Sequence, residues 1–405
     1  MRRYAFLWIA LVLACGGAAR DLRLRPDELP PSQREEAVLV AAAYQAEPQD
    51  AAVLYQVAAN LAQAGRTDDA LEALRRMAAL DSGVDPRPRD GFGSLVDHPE
   101  FRRIVAAIRA QHPPVLRAHQ AFTLAEADLI PEGIAWSSKT ERLYLGSGKR
   151  KIVAVDLAGH AEPFVPVARE GLGVVLGVRV DDVRGELWAA SARLNGQPED
   201  ALVGLLRVRL SNGEVLGRYA TGVPADMVND VAIAPDGTAY GTITTAGRLL
   251  RVDPKTGQVD KVLAPGAIPY PNGITVARDG RSLFVASWRD VYKVELPSLA
   301  VKPLAKPKNV ASGCFDGLYA IGDDLVGIQN CVHATGRVVR LHLDARGERI
   351  ERATVLESYN PLFDGVTTAA VAGDKLFFVA NVQFRKVGKG EPFDPLRVLA
   401  LPLSP

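Results

Sequence analysis

One short unit recurs six times in the second two-thirds of this chain, and nothing else in the sequence constrains the fold as strongly. Each copy opens with a strand, passes a turn signal such as Asp236-Gly237, Thr256-Gly257, Asp279-Gly280 or Gly322-Asp323, and ends with a strand of the type Val-x-x-Val. The openings are Glu132-Gly133-Ile134, Gly177-Val178-Arg179, Asn229-Asp230-Val231, Asn272-Gly273-Ile274, Asp316-Gly317-Leu318 and Asp364-Gly365-Val366, at intervals of roughly 43–52 residues. Alternating apolar residues between turn signals read as hairpins in series. An open sheet of that many strands would expose long edges, whereas radial repetition protects them and gathers every first strand around a central channel. The expected fold is mainly β: a six-bladed β-propeller over residues 119–405, with residues 120–124 closing the ring as the outer strand of the last blade. A β-sandwich pair or a β-helix fits this period poorly.

Residues 31–112 carry a different signal, with Ala, Leu, Glu and Arg at helical spacing. Leu54, Val57, Ala58 and Leu61 mark one apolar face, Gly65-Arg66 a turn, and Ala70, Leu71, Leu74 and Met77 the next face. The pair resembles a tetratricopeptide repeat, though a generic helical hairpin reads equally well. One such pair cannot bury its own face, so residues 31–45 and 98–110 are expected to pack on it. A repeat of this kind also implies a groove for a protein partner.

The N-terminus reads as an export signal. Arg2 and Arg3 precede an uncharged apolar run to Ala14, too short to span a bilayer. Val12-Leu13-Ala14-Cys15 fits a lipoprotein cleavage box in which Cys15 carries the lipid; ordinary cleavage after Ala18 or Ala19 is the alternative, giving a signal peptide over residues 1–19. Either way the mature chain is expected in the periplasm, or anchored to the envelope with a lipid as its sole membrane attachment. A net charge of +1, from 48 basic and 47 acidic residues spread along the chain, leaves no stripe to hold a phosphate backbone and excludes nucleic acid. Cys314 and Cys331 flank the Gly322-Asp323 turn at equal distances, which opposes them across a hairpin and predicts a disulfide in an oxidising compartment.

If each inner strand begins on the same face, Glu132, Asn229, Asn272, Asp316 and Asp364 converge on the axis, with Gly177 in the second blade. Carboxylates and amide carbonyls supply oxygen alone, which suits a hard cation such as calcium better than zinc. Gathered without a cation, the carboxylates would repel one another and shift upward in pKa. A turn or cap role is the other reading of any single one of them.

Pro131-Glu132-Gly133, Val228-Asn229-Asp230, Pro271-Asn272-Gly273-Ile274 and Phe315-Asp316-Gly317-Leu318 resemble, in order and spacing, the four metal-site motifs of the gluconolactonase and regucalcin-like (senescence marker protein) family, and also the paraoxonases. The resemblance implies that Glu132, Asn229, Asn272 and Asp316 bind a divalent metal, usually calcium, and that the reaction is hydrolysis of a small-molecule lactone or related ester. Asp316, with Glu132 beside it, is then the catalytic carboxylate, and Asp364 an alternative base. Asp230 is either a residue orienting Asn229 or part of a turn. Arg179, Gln329-Asn330 and Asn381 could reach a ligand or satisfy backbone groups between blades. Met227 stands where gluconolactonases carry a substrate-holding arginine, which turns the expectation from sugar lactones toward hydrophobic ones, with Leu176 and Val228 near the rim. The paraoxonase histidine pair is absent; His333 is the one histidine placed near a channel mouth, with a solvated loop as its other reading. The competing function is a non-catalytic binding propeller at the envelope, with a structural metal and a partner-recruiting helical domain. Condensation chemistry of the strictosidine-synthase kind, which shares the propeller without the asparagines, ranks last.

Overall fold

The computed structural model describes residues 22–194 and 196–404. The export signal and Cys15 lie outside these residues. Within them, no helix is long and apolar enough to cross a membrane.

Four helices come first: α1 (Arg34–Ala46), α2 (Ala51–Gln63), α3 (Thr67–Ala78) and α4 (Pro99–Gln111). Asp50 caps α2 by accepting the Val53 amide at 2.9 Å, and His98 caps α4 through Nδ1, which accepts the Glu100 amide. The Gly65-Arg66 turn joins α2 to α3, and Gly65 adopts the positive φ of 75° that ends a helix cheaply. Helix α2 is buried along almost its whole length, so its neighbours must cover it on every side. Helices α1 and α3 cover part of it, and α4 packs on α3. The same apolar cluster continues into Ala311, Cys314 and Val332 of the β domain, with Trp288 and Cys331 packed against it.

Six four-stranded antiparallel sheets follow. Their inner strands are Ile134–Ser137, Val174–Asp181, Val228–Ile233, Ile274–Val276, Phe315–Ile321 and Ala369–Ala372. The sixth sheet takes its outer strand from His119–Leu124, which pairs antiparallel with Leu396–Pro402 and closes the ring. The molecule is therefore a six-bladed propeller with an N-terminal helical segment.

Period-two alternation holds the blades together. In the first blade Ile134, Leu143 and Leu145 face the sixth, while Ala135 and Tyr144 face the second. Each of the six gaps between neighbouring blades is filled by such a cluster. Each fully buried Val, Leu or Ile in these gaps contributes about 1.5–3 kcal/mol. The Ile321-Gly322-Asp323-Asp324 turn sets the register of the fifth-blade hairpin, but a bulge between Phe315 and Leu318 slips it by one residue before the cysteines are reached. Cys314 and Cys331 are nonetheless bridged, with Cα atoms 5.5 Å apart.

Candidate metal centre

Strand register gives an objective alignment of the six inner strands. Ile134 pairs with Leu145, Val178 with Ala189, Val231 with Gly241, Ile274 with Val285, Leu318 with Gly327 and Ala369 with Phe378. Two residues before each first member stand Glu132, Leu176, Asn229, Asn272, Asp316 and Thr367. Four of the six are the oxygen-bearing residues expected from the sequence. The other two correct it: the second blade presents Leu176 rather than Gly177, and the sixth presents Thr367 rather than Asp364.

The residue after each ring position shows how tightly the inner strands crowd together. A Cβ on Gly133 would stand 2.0 Å from the Leu176 carbonyl oxygen, and one on Gly273 would stand 2.3 Å from that of Asp316. Glycine is needed because the next blade's backbone already fills the space. Gly177 is used differently, since its missing side chain makes room for the carboxylate of Asp230, whose Oδ1 would lie 2.3 Å from a Cβ there.

Asn229 is oriented through its Nδ2, which donates to Thr244 Oγ1 at 3.3 Å, and Thr244 in turn donates to the Pro271 carbonyl at 2.7 Å. The Glu132 carbonyl accepts both Thr367 and Thr368 hydroxyls, at 2.9 and 2.5 Å, tying the first blade to the sixth. Asp316 accepts at Oδ2 from Asn330 Nδ2 at 2.7 Å, with the Asn272 side chain beside it. Two oxygens of this group, Asn272 Oδ1 and Asp316 Oδ1, are buried and have no hydrogen-bond partner.

The electrostatics follow from that crowding. Burial, and then the charges of Asp316 and Asp230, push the Glu132 carboxyl up to about 8. Burial likewise raises Asp316, to about 6, with the Asn330 hydrogen bond opposing and the charge of Asp230 adding. Gathered carboxylates with orphaned buried oxygens are costly unless a positive charge joins them. Two carboxylates and two amides form an all-oxygen donor set, fitting a hard divalent cation rather than a thiophilic one. Among the described residues no three of His, Cys, Asp and Glu come together as metal ligands, so amide oxygens are indispensable to any such site.

Beside the ring, Asp230 accepts the amides of Val231 at 2.8 Å and Ile274 at 3.1 Å, and pairs with Arg179 Nη2 at 3.4 Å. Arg179 donates to the Val231 and Ile274 carbonyls and lies over the Tyr319 ring, 5.1 Å from its centroid. The Tyr319 hydroxyl accepts the Ala369 amide at 2.6 Å. Asp230 therefore belongs to a lock running through the second to sixth blades, and it does not orient Asn229.

Other candidates are placed elsewhere. Asp364 forms an ion pair with Arg385 at 2.9 Å and is absent from the ring. Gln329 is fully buried, donating to the Ala311 and Gly313 carbonyls and accepting from Arg337, so it does not face the centre. Asn381 is used up on the Pro395 carbonyl and the Arg397 amide. His333 is neither solvated nor on the axis: it is 1% exposed and packs on Tyr359, with ring centroids 4.4 Å apart. Burial, together with Arg337, Arg109 and Arg87, holds it well below the usual histidine range and hence neutral. Asn330, which touches Asp316, is the residue that the pair Gln329-Asn330 left unresolved. The bulge that slips the register by one exchanges the faces of these two neighbours, and alternation counted from the turn cannot show it.

Leu176 forms a small apolar patch with Val174 and Ala192, against which Met227 packs. One side of the ring is therefore hydrocarbon where the other sides carry oxygen.

No family model matches the chain, and no curated protein matches it. Among solved structures it is similar to a gluconolactonase from Xanthomonas campestris (16% identity, TM-score 0.47, covering 71% of this chain and 98% of that one). It is also similar to the PQQ-bound aldose sugar dehydrogenase of Streptomyces coelicolor (16%, 0.49, 71% and 99%) and to virginiamycin B lyase of Staphylococcus aureus (17%, 0.47, 65% and 81%). These neighbours are named for three different chemistries, and at such identities and TM-scores they carry no argument about this one.

Proposed function

We propose that this protein is an exported, calcium-dependent hydrolase of lactones or related esters. The observation that carries this reading is the pair of buried, donorless oxygens, Asn272 Oδ1 and Asp316 Oδ1, beside a Glu132 carboxyl raised by burial and then by its acidic neighbours. Glu132, Asn229, Asn272 and Asp316 would hold the cation. When bound, it supplies a Lewis acid that polarises the ester carbonyl and stabilises the developing oxyanion.

The chain's own residues do the rest. Asp316 keeps Oδ2 occupied by Asn330 and leaves Oδ1 open to the cation, and its carboxylate is the group we assign to take a proton from the attacking water. Glu132 supplies the second negative charge of the site. Thr244 fixes which way the Asn229 carbonyl points. The patch of Val174, Leu176, Ala192 and Met227 offers a hydrocarbon wall in place of a sugar-binding cation, favouring aliphatic or aryl lactones over sugar lactones. The Cys314–Cys331 bridge suits the periplasmic or envelope setting of this proposal.

The test is hydrolysis of a panel of aliphatic, aryl and sugar lactones by the chain from residue 21 onward, with calcium, with chelator and as Asp316→Ala. Calcium-dependent turnover abolished in the variant is the expected result. Calcium binding without turnover of any member would leave a non-catalytic binding propeller instead.

A further inference from the structure

The helical segment sits against the same loops that shape the ring. It touches the propeller at Arg289, Lys306 and Tyr359, and also along residues 330–337, the connection that follows the second strand of the fifth blade and the strand after it. The Val332 carbonyl accepts the Asp85 amide at 3.1 Å, and Arg337 donates to the Ser82 and Gly83 carbonyls. The Asn330 carbonyl is held by Arg87 Nη1.

Asn330 is the residue whose Nδ2 donates to Asp316 Oδ2, and it also donates to the Val366 carbonyl at 3.0 Å. Its backbone amide donates to the Cys314 carbonyl at 3.2 Å, and its successor is the disulfide-bonded Cys331. Arg87 is equally constrained. Its Nε donates to Asp90 Oδ2 at 2.6 Å, and the same oxygen accepts the hydroxyl of Tyr55 at 2.5 Å. Tyr55 is fully buried in α2. A continuous series of polar contacts thus runs from the core of the helical segment to the carboxylate of the ring: Tyr55, Asp90, Arg87, Asn330, Asp316.

We propose that Arg87 is a positioning residue for the metal centre, so that the helical segment is a working part of the site and not an appended module. The proposal rests on the metal reading above. Asn330 occupies one carboxylate oxygen of Asp316 and leaves the other directed to the ring. Asn330 can hold that orientation only while its own backbone is held, and Arg87 supplies the restraint from outside the propeller. Hydrogen-bonding partners that orient a metal ligand typically matter about 10–100-fold in metal affinity when removed.

Three variants of the full mature chain separate this role from mere docking. Arg87→Ala removes the restraint. Arg87→Lys keeps a charge and a donor in case the alanine variant folds poorly. Arg109→Met loosens the interface elsewhere, at the Arg109–Asp85 pair whose Asp85 accepts the Tyr359 hydroxyl, and leaves Asn330 untouched. Calcium affinity by titration calorimetry is expected to fall about tenfold in Arg87→Ala, less in Arg87→Lys, and to change under twofold in Arg109→Met. Amide hydrogen exchange in chelator is expected to quicken at residues 314–317 and 329–332 in Arg87→Ala alone. An unchanged affinity in Arg87→Ala, or an equal loss in Arg109→Met, overturns the proposal. Should the wild type titrate no calcium, the proposal falls with the metal reading, and the exchange data then show whether the contact series itself was correctly read.

Discussion

Asp316→Asn should stabilise the protein in chelator and destabilise it, relative to wild type, in calcium. Asp316 is 8% exposed, and in the absence of a cation burial and the nearby Asp230 raise its carboxyl from the ordinary 3.8 to about 6. The folded state therefore binds more protons than the unfolded state between those values, and stability falls as pH rises through that window. The loss is absent below pH ~4 and complete above pH ~6; at 1.36 kcal/mol per pH unit it amounts to about 3 kcal/mol at pH 8. Asparagine carries no charge to repel Glu132 and can still accept from Asn330. The chelated variant should thus melt higher than wild type at pH 8, by about 3–6 °C for a domain of this size, and equally at pH 4. In calcium at about 1,000 times Kd the order should reverse, because wild type then gains about 4.1 kcal/mol, more than the charge repulsion takes away, and the variant has lost a charged ligand. Scanning calorimetry at fixed scan rate, in chelator and in calcium at both pH values, gives the comparison. A chelated variant that melts at or below wild type at pH 8 refutes the claim that the ring is a site of unrelieved charge.

Three further outcomes are expected. Gly273→Ala places a methyl 2.3 Å from the Asp316 carbonyl, and should cost at least about 2 kcal/mol in chemical denaturation while weakening calcium binding by displacing Asp316. Arg179→Met leaves the buried Asp230 carboxylate with two amides and no cation, and should cost about 3 kcal/mol, more at pH 8 than at pH 5 because burial already raises that carboxyl; equal losses at the two pH values would show that Asp230 does not change its ionisation between them, against this reading. Leu176→Ser should lower kcat/KM about tenfold for long-chain lactones and leave short ones nearly unchanged, in a comparison of matched ring sizes with differing alkyl tails; a uniform loss would remove the patch from the substrate's path.

The propeller was legible because each blade repeats the same local compromise between crowding at the axis and pairing along the strand. Glu132-Gly133, Asn272-Gly273 and Asp316-Gly317 announce their ring positions, since an oxygen-bearing residue followed by glycine is costly in an ordinary strand. Leu176-Gly177 carries no such mark, and a leucine at a ring position reads as simple strand. In the sixth blade Asp364-Gly365 imitates the motif three residues early, while Thr367-Thr368 reads as ordinary β sequence and takes the true position. The contacts joining Arg87 to Asn330 span 243 residues of chain and involve a backbone carbonyl, which no side-chain pattern records. The docking of the helical segment was illegible for the same reason: its outer face is shaped by loops of the fourth and fifth blades.

The strand that closes the ring, His119–Leu124, is among the first parts of the β domain to be synthesised, and its partner Leu396–Pro402 is the last. The newborn polypeptide therefore carries an unmatched strand until Leu396–Pro402 has left the ribosome, and no ring exists before then. Truncation before Leu396 would strip the sixth sheet of its third strand and leave the fourth with nothing to join. Such a truncated product should be recovered as aggregate or protease fragments rather than as a smaller stable propeller.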